Sequence, residues 1–106
     1  MYDDIVMSKS LDELITALCA DYLRRADVIA TRSAPYNVIM EYRFLNYRIM
    51  NAAIEIAGTR DALSFIDDIG SGLGYAGSGL CALAERVYKE RKRDVKYNIA
   101  KRLSLI

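Results

Sequence analysis

The stretch from Asn37 to Ala57, NVIMEYRFLNYRIMNAAIEIA, constrains the fold most, because its apolar residues keep helical spacing throughout. Alternating intervals of four and three place one set on the same side of an α-helix: Val38, Tyr42, Leu45, Ile49, Ala52 and Ile56. A second apolar line, on another side, contains Met40, Phe44, Tyr47 and Ile54. A helix that is apolar on two sides is normally covered on both. We therefore expect this segment to be the central helix of a small bundle.

Capping residues and periodicity predict three further helices around this one. Ser10 with Glu13 three residues later is a capping-box pattern that opens a first helix. Pro35 suits the first turn of the central helix, and Gly58 suits a left-handed cap at its end. The predicted helices span residues 10–30, 36–57, 60–69 and 79–104. The short third helix is expected to bury Ala62, Leu63, Ile66 and Ile69.

Length and composition agree with an all-α bundle. The chain has 106 residues, of which 53% are hydrophobic and 27% charged, so we expect one globular domain over residues 1–106. The acidic start, MYDDIVMSKS, predicts a lead-in over residues 1–9 and no signal peptide. The longest uncharged run, residues 69–84, is too short for a bilayer-spanning helix. These features predict a cytoplasmic protein without a membrane partner.

The residue types that usually carry catalysis or bind metal are scarce. The chain has no histidine, which removes the commonest general base and the commonest metal ligand. Cys19 and Cys81 lie at no metal-binding or redox spacing, and both are predicted to be small core residues of a reduced protein. Asp67 and Asp68 are neighbours that would point about 100° apart on a helix. We expect no enzymatic activity, no metal and no cofactor.

Charge is distributed unevenly along the chain. From Arg86 onward there are eight basic and two acidic residues, a net charge of +6, so residues 1–85 carry −5 of the total of +1. A helix would align several of these cations, with Lys92 beside them: Arg86, Lys89, Arg93 and Lys96. Such a stripe binds phosphates without reading base sequence. The alternative is a solvated helix face on which Glu85 pairs with Lys89.

Five of residues 70–79 are glycines, which predicts a turn or a loop. Gly72, Gly74 and Gly77 have the spacing of a dinucleotide-binding motif, but the residues before them do not have the pattern of the strand that such a motif requires. Residues 68–87 resemble the helix-turn-helix of DNA-binding regulators of the sigma-factor-like and phage late-regulator type. The matching positions are Gly70 for the small residue, Gly74 for the turn, and Ile69, Leu73, Leu80 and Leu83 for packing. The resemblance implies DNA binding near the start of the second helix, at Ser78. The small side chains there cannot make bidentate base contacts, and a plain turn is the alternative.

Two functions are therefore predicted. The first is a small regulatory or accessory protein that binds nucleic acid through its basic C-terminal helix. The second is a protein-interaction module, such as an inhibitor or adaptor from a phage or mobile element, that acts through the acidic first helix or through Met40, Phe44 and Tyr47. We expect these three side chains to be buried in the bundle, with a docking surface or a dimer seam as the alternative. A homodimer is a third option.

Overall fold

The computed structural model describes residues 7–106 and confirms the all-α prediction. No strand occurs among these residues. The helices are α1 (Lys9–Ala20), α2 (Tyr22–Thr31), α3 (Tyr36–Ser71), α4 (Gly74–Gly77) and α5 (Glu85–Arg102). As predicted, α3 is the central helix, against which α1, α2 and α5 pack. Of the lead-in predicted for residues 1–9, residues 1–6 lie outside the described part of the chain.

The predicted helix over residues 10–30 is two helices, separated at Asp21. Asp21 has φ −95° and ψ 0°, outside helical values, so the regular helix is interrupted there. The N-cap of α1 is Ser8 rather than the predicted Ser10: the Ser8 hydroxyl accepts a hydrogen bond from the Leu11 N–H at 3.1 Å. The interruption directly follows Ala20, whose backbone packs closely on Gly70 of α3.

The break predicted at Gly58 is present as a kink within α3. Gly58 has φ 81° and ψ 165°, and helical geometry continues on both sides, over residues 36–57 and 59–71. We expected a left-handed helical cap at Gly58. Its ψ instead places it in an extended region with positive φ, which only glycine adopts readily. The kink therefore divides α3 into two helical parts at a single residue, Gly58.

The last helix begins at Glu85, six residues later than predicted. The intervening residues form turns held by side-chain hydrogen bonds to the backbone. The Tyr75 hydroxyl donates to the Leu83 carbonyl at 2.5 Å, and the Cys81 thiol donates to the Tyr75 carbonyl at 3.2 Å. These bonds, together with Gly79 at φ 77°, stabilise a non-helical conformation over residues 78–84.

The core lies between α3 and the helices on either side of it. Its largest fully buried side chains are Phe65, Ile15, Ile49, Ile66, Ile99, Val95 and Asp68. One residue of the buried side predicted for residues 60–69 is wrong, and one buried residue was absent from that prediction. Leu63 is exposed and Phe65 is buried, because the inward side of this part of α3 carries residues 62, 65, 66 and 69. Leu63 lies at the edge of that side.

Candidate functional site

Lys92 and Lys96, two members of the predicted nucleic-acid site, pair with carboxylates of other helices. Lys96 Nζ lies 3.0 Å from Oδ1 of Asp12 in α1. Lys92 Nζ lies 3.0 Å from Oδ2 of Asp68, which is fully buried in α3. Both lysine side chains are mostly buried. These ion pairs fasten α5 to the rest of the bundle, so the two ammonium groups are occupied within the fold.

Other cations of the predicted site pair along α5 itself. The pairs are Arg86 with Glu90 at 2.9 Å, Lys89 with Glu85 at 3.7 Å, and Arg93 with Asp94 at 3.4 Å. The Arg86 and Lys89 side chains are 77% and 70% exposed, so these ion pairs contribute little to stability and exchange readily. Within the described part of the chain, no carboxylate forms an ion pair with Arg91 or Lys101.

A groove of about 630 Å³ runs beside α5 and gathers part of the predicted stripe. Its basic lining residues are Lys89, Lys92, Arg93 and Lys96, and its acidic ones are Asp12 and Glu85. Arg86 does not line it. Four cations and two carboxylates leave a moderate positive charge.

Ser78, the remaining member of the predicted site, is buried in the turn after α4. Its hydroxyl donates to the Tyr75 carbonyl at 2.8 Å and accepts from the Leu80 N–H at 3.0 Å. Both hydrogen-bonding functions of the hydroxyl therefore serve the turn. Ser78 also precedes α5 by seven residues and does not begin that helix.

Asp68, which the sequence analysis discounted as a catalytic or metal-binding residue, is fully buried. Its Oδ1 accepts from the Gly74 N–H at 2.9 Å, and its Oδ2 accepts from the Tyr88 hydroxyl at 2.5 Å. With Lys92, these groups surround the carboxylate completely. Burial, and then the hydrogen bond to Asp68, raise the pKa of the Tyr88 phenol. The cluster joins α3, the glycine-rich turn and α5, which indicates a structural role.

Two exposed aromatic side chains lie near each other on the outside of α3, where burial was expected. Phe44 is 60% exposed and Tyr47 is 70% exposed, whereas Met40 beside them is half-buried. The prediction of burial is therefore wrong for Phe44 and Tyr47. The cause is that α1, α2 and α5 pack on the other sides of this part of α3, which carry Ile49, Ala52 and Ala53, and leave positions 44 and 47 uncovered.

Charged residues accompany these aromatic rings. The Arg48 guanidinium carbon lies 5.1 Å from the centre of the Phe44 ring, a cation–π contact. Among the described residues, neither Arg43 nor Arg48 has a carboxylate within ion-pair distance, and the exposed Glu41 has no cation within that distance. We call Met40, Glu41, Phe44, Tyr47 and Arg48 the outer face of α3.

Two grooves flank the outer face of α3. The larger, of about 710 Å³, runs toward the end of α5 and is lined by Arg43, Phe44, Tyr47, Arg48, Arg102 and Ser104. The smaller, of about 380 Å³, lies on the α2 side and is lined partly by Tyr22, Ile29 and Met50. Arg43 and Tyr47 line both grooves and form the ridge between them. The surface can therefore receive side chains on both sides of Tyr47.

Arg102 in the larger groove is held by α3. Its guanidinium donates a hydrogen bond to the Glu55 carboxylate, and this bond lowers the pKa of Glu55. The pair attaches the end of α5 to α3 next to the outer face. Arg102 therefore forms part of the wall of this groove.

The two cysteines have different environments. Burial raises the pKa of the Cys19 thiol to about 12, which suits the predicted core position. Cys81 is exposed, so the core prediction is wrong for it. Within residues 7–106, no group of three or more Cys, Asp or Glu side chains is placed to hold a metal ion.

No helix in the same range combines the length and apolar character needed to cross a bilayer. No protein-family model, curated protein or solved structure matches the chain. The functional proposals therefore depend on the side chains described above.

Proposed function

We propose that this protein is a non-enzymatic interaction module that binds another protein chain through the outer face of α3. The observation that carries the proposal is the exposure of Phe44 and Tyr47 beside Arg43 and Arg48. Aromatic residues and arginine are enriched at protein interfaces and supply most of their binding hot spots. A cluster of large exposed apolar side chains rimmed by charge commonly marks a contact surface.

The charges on this face favour a protein partner over a polyanion. Glu41 and Arg48 have opposite signs and lie on the same side of α3. A surface for phosphates gathers positive charge, whereas a protein interface matches both signs. The strong positive charge of the C-terminal segment lies on α5 instead, where much of it pairs with carboxylates of the same chain.

Site-specific photo-crosslinking in producing cells tests the proposal. A photoreactive phenylalanine analogue replaces Phe44 or Tyr47, and in a control it replaces Leu63, an exposed apolar residue on the other part of α3. All three positions are solvent-exposed, so these changes are expected to alter stability by no more than about 0.5 kcal/mol. We expect protein adducts of defined mass at positions 44 and 47, and none at 63.

The chemistry of the adducts decides the outcome. Peptides of one protein chain crosslinked at both positions would support the proposal. Equal crosslinking at position 63, or adducts that contain nucleic acid in place of peptide, would contradict it.

The second candidate function is nucleic-acid binding through α5. The observation that favours it is that Arg86 and Lys89 hold only weak, exposed ion pairs, and that Arg91 and Lys101 pair with no carboxylate of the described chain. Phosphates can replace the carboxylates of such pairs at little cost. Lys92, Lys96 and Ser78 do not contribute to this version of the proposal, because their polar groups serve the fold.

Duplex-DNA binding measured by fluorescence anisotropy over a salt series tests the second candidate. The variant Arg86→Gln, Lys89→Gln, Arg91→Gln should lower affinity and reduce the slope of log K against log salt by about one per lost phosphate contact. The control removes the same charge elsewhere, through Lys9→Gln, Arg32→Gln, Arg60→Gln. Equal affinities for the two triple variants would contradict binding through α5.

A further inference from the structure

We infer that the occupant of the outer face of α3 is a second copy of this chain, with the two α3 helices packed antiparallel about a twofold axis near Phe44. The inference rests on the proposed function and names its partner. It depends on the positions of Glu41, Phe44 and Arg48, which are all exposed on the same helix.

Helix geometry places these charges in register. Glu41 and Arg48 are seven residues apart, about 10.5 Å along the axis and on nearly the same side of the helix. A twofold axis near residues 44 and 45 places Glu41 of each copy opposite Arg48 of the other, so the same ion pair forms twice. Neither residue has an ion-pair partner within the described chain. The surface is therefore complementary to itself, as a twofold interface requires.

The same register matches the apolar residues. Phe44 lies beside the axis and approaches Phe44 of the other copy, whereas Tyr47, about 100° from Arg48 around the helix, lies at the edge of the contact. Aromatic pairs at such a contact contribute beyond the area that they bury. The grooves on both sides of Tyr47 provide space for the side chains of the second copy.

A parallel arrangement is disfavoured by the same charges. It would bring Glu41 against Glu41 and Arg48 against Arg48, and like charges opposed across an interface weaken association. The antiparallel dimer is the symmetric arrangement in which both charge signs are matched.

Charge reversal followed by analytical ultracentrifugation tests the inference. We expect the wild-type protein to sediment as a dimer that dissociates on dilution. Glu41→Arg alone and Arg48→Glu alone should each weaken dimerisation at least about tenfold, because each opposes like charges twice. The double variant restores both ion pairs and should dimerise as the wild type does. Glu13→Arg, which makes the same charge change at an exposed position of α1, is the control.

Mixing the two single variants provides a test that misfolding cannot imitate. Glu41→Arg mixed with Arg48→Glu pairs an arginine with a glutamate at both contacts, so two chains that are monomeric alone should form a heterodimer. A wild-type protein that stays monomeric at every concentration would overturn the inference, as would a double variant or a mixture that fails to associate.

The result also distinguishes the inference from the proposed function. If the wild type is monomeric but positions 44 and 47 crosslink to a different protein, the proposed function is supported and the inference that the partner is a second copy is contradicted. If the dimer persists in both single variants and in Phe44→Ser, Tyr47→Ser, while neither position crosslinks, both are contradicted.

Discussion

At Gly70 the backbones of two helices lie in direct contact. A Cβ atom at this position would lie 2.5 Å from the Ala20 nitrogen and 2.7 Å from the Cys19 carbonyl carbon. Because these are main-chain atoms, a side-chain rotation cannot relieve the contact. Gly70 thus allows the end of α1 to lie directly on α3, just before the interruption at Asp21.

We predict that Gly70→Ala lowers the free energy of unfolding by about 2 kcal/mol, since separating two packed backbones costs more than the gain in helix propensity. Gly77→Ala is the control, because its Cβ would make an ordinary contact with the Leu73 side chain at 3.4 Å. Urea denaturation followed by circular dichroism measures both. Equal stabilities of the two variants would show that α1 and α3 separate without cost.

The buried Arg25 shows where residue-level prediction failed. Its Nε donates to Asn46 Oδ1 at 2.7 Å, and its Nη2 donates to the Leu18 carbonyl at 2.5 Å. Periodicity treats arginine as an outward residue, yet here the guanidinium is satisfied inside by partners that are 21 and seven residues away. No local pattern in the sequence records such distant partners.

At the scale of elements, α5 is attached to α3 through the Asp68 cluster. Asp68 is buried near the end of α3, and its carboxylate accepts hydrogen bonds from the glycine-rich turn and from Tyr88 of α5. The Tyr88 ring in turn stacks on Phe65, with centroids 6.0 Å apart. One carboxylate therefore joins the turn and the first turn of α5 to the end of α3.

We predict that Asp68→Asn lowers the free energy of unfolding by about 3 kcal/mol, because it leaves Lys92 without its counter-charge beside a buried site. Asp67→Asn, at the exposed neighbouring position, should change it by less than about 0.5 kcal/mol. Thermal and urea unfolding of the two variants provide the comparison. A loss of stability that is the same at both positions would exclude the role assigned to the cluster.

Whole helices were easier to predict than their ends. The central helix and its break at Gly58 follow from local spacing and a single glycine, so both are readable in the sequence. The division at Asp21 lies beside the contact of α1 with Gly70, and the late start of α5 accompanies hydrogen bonds within the turn. Such contacts join residues that are distant in the sequence, or replace helical hydrogen bonds with side-chain ones.

At the scale of the molecule, part of the uneven charge pattern is matched inside the fold. Three cations of α5 pair with carboxylates of α1 and α3: Lys92, Lys96 and Arg102. Composition along the chain cannot distinguish charge that faces outward from charge that joins two helices, so it does not say which of these cations remain available to an external anionic partner. Phe44 and Tyr47 show the converse, since helical spacing alone does not say which of two apolar sides the other helices will cover.

The central position of α3 has a consequence for the protein in the cell. Its inner side supports the remaining helices, and its outer side is the proposed contact with another chain. A second chain that binds only the folded form draws the population away from the unfolded one by mass action. Under self-association, resistance to heat and to proteolysis rises with the amount of protein made, and scarce copies are the first to be degraded.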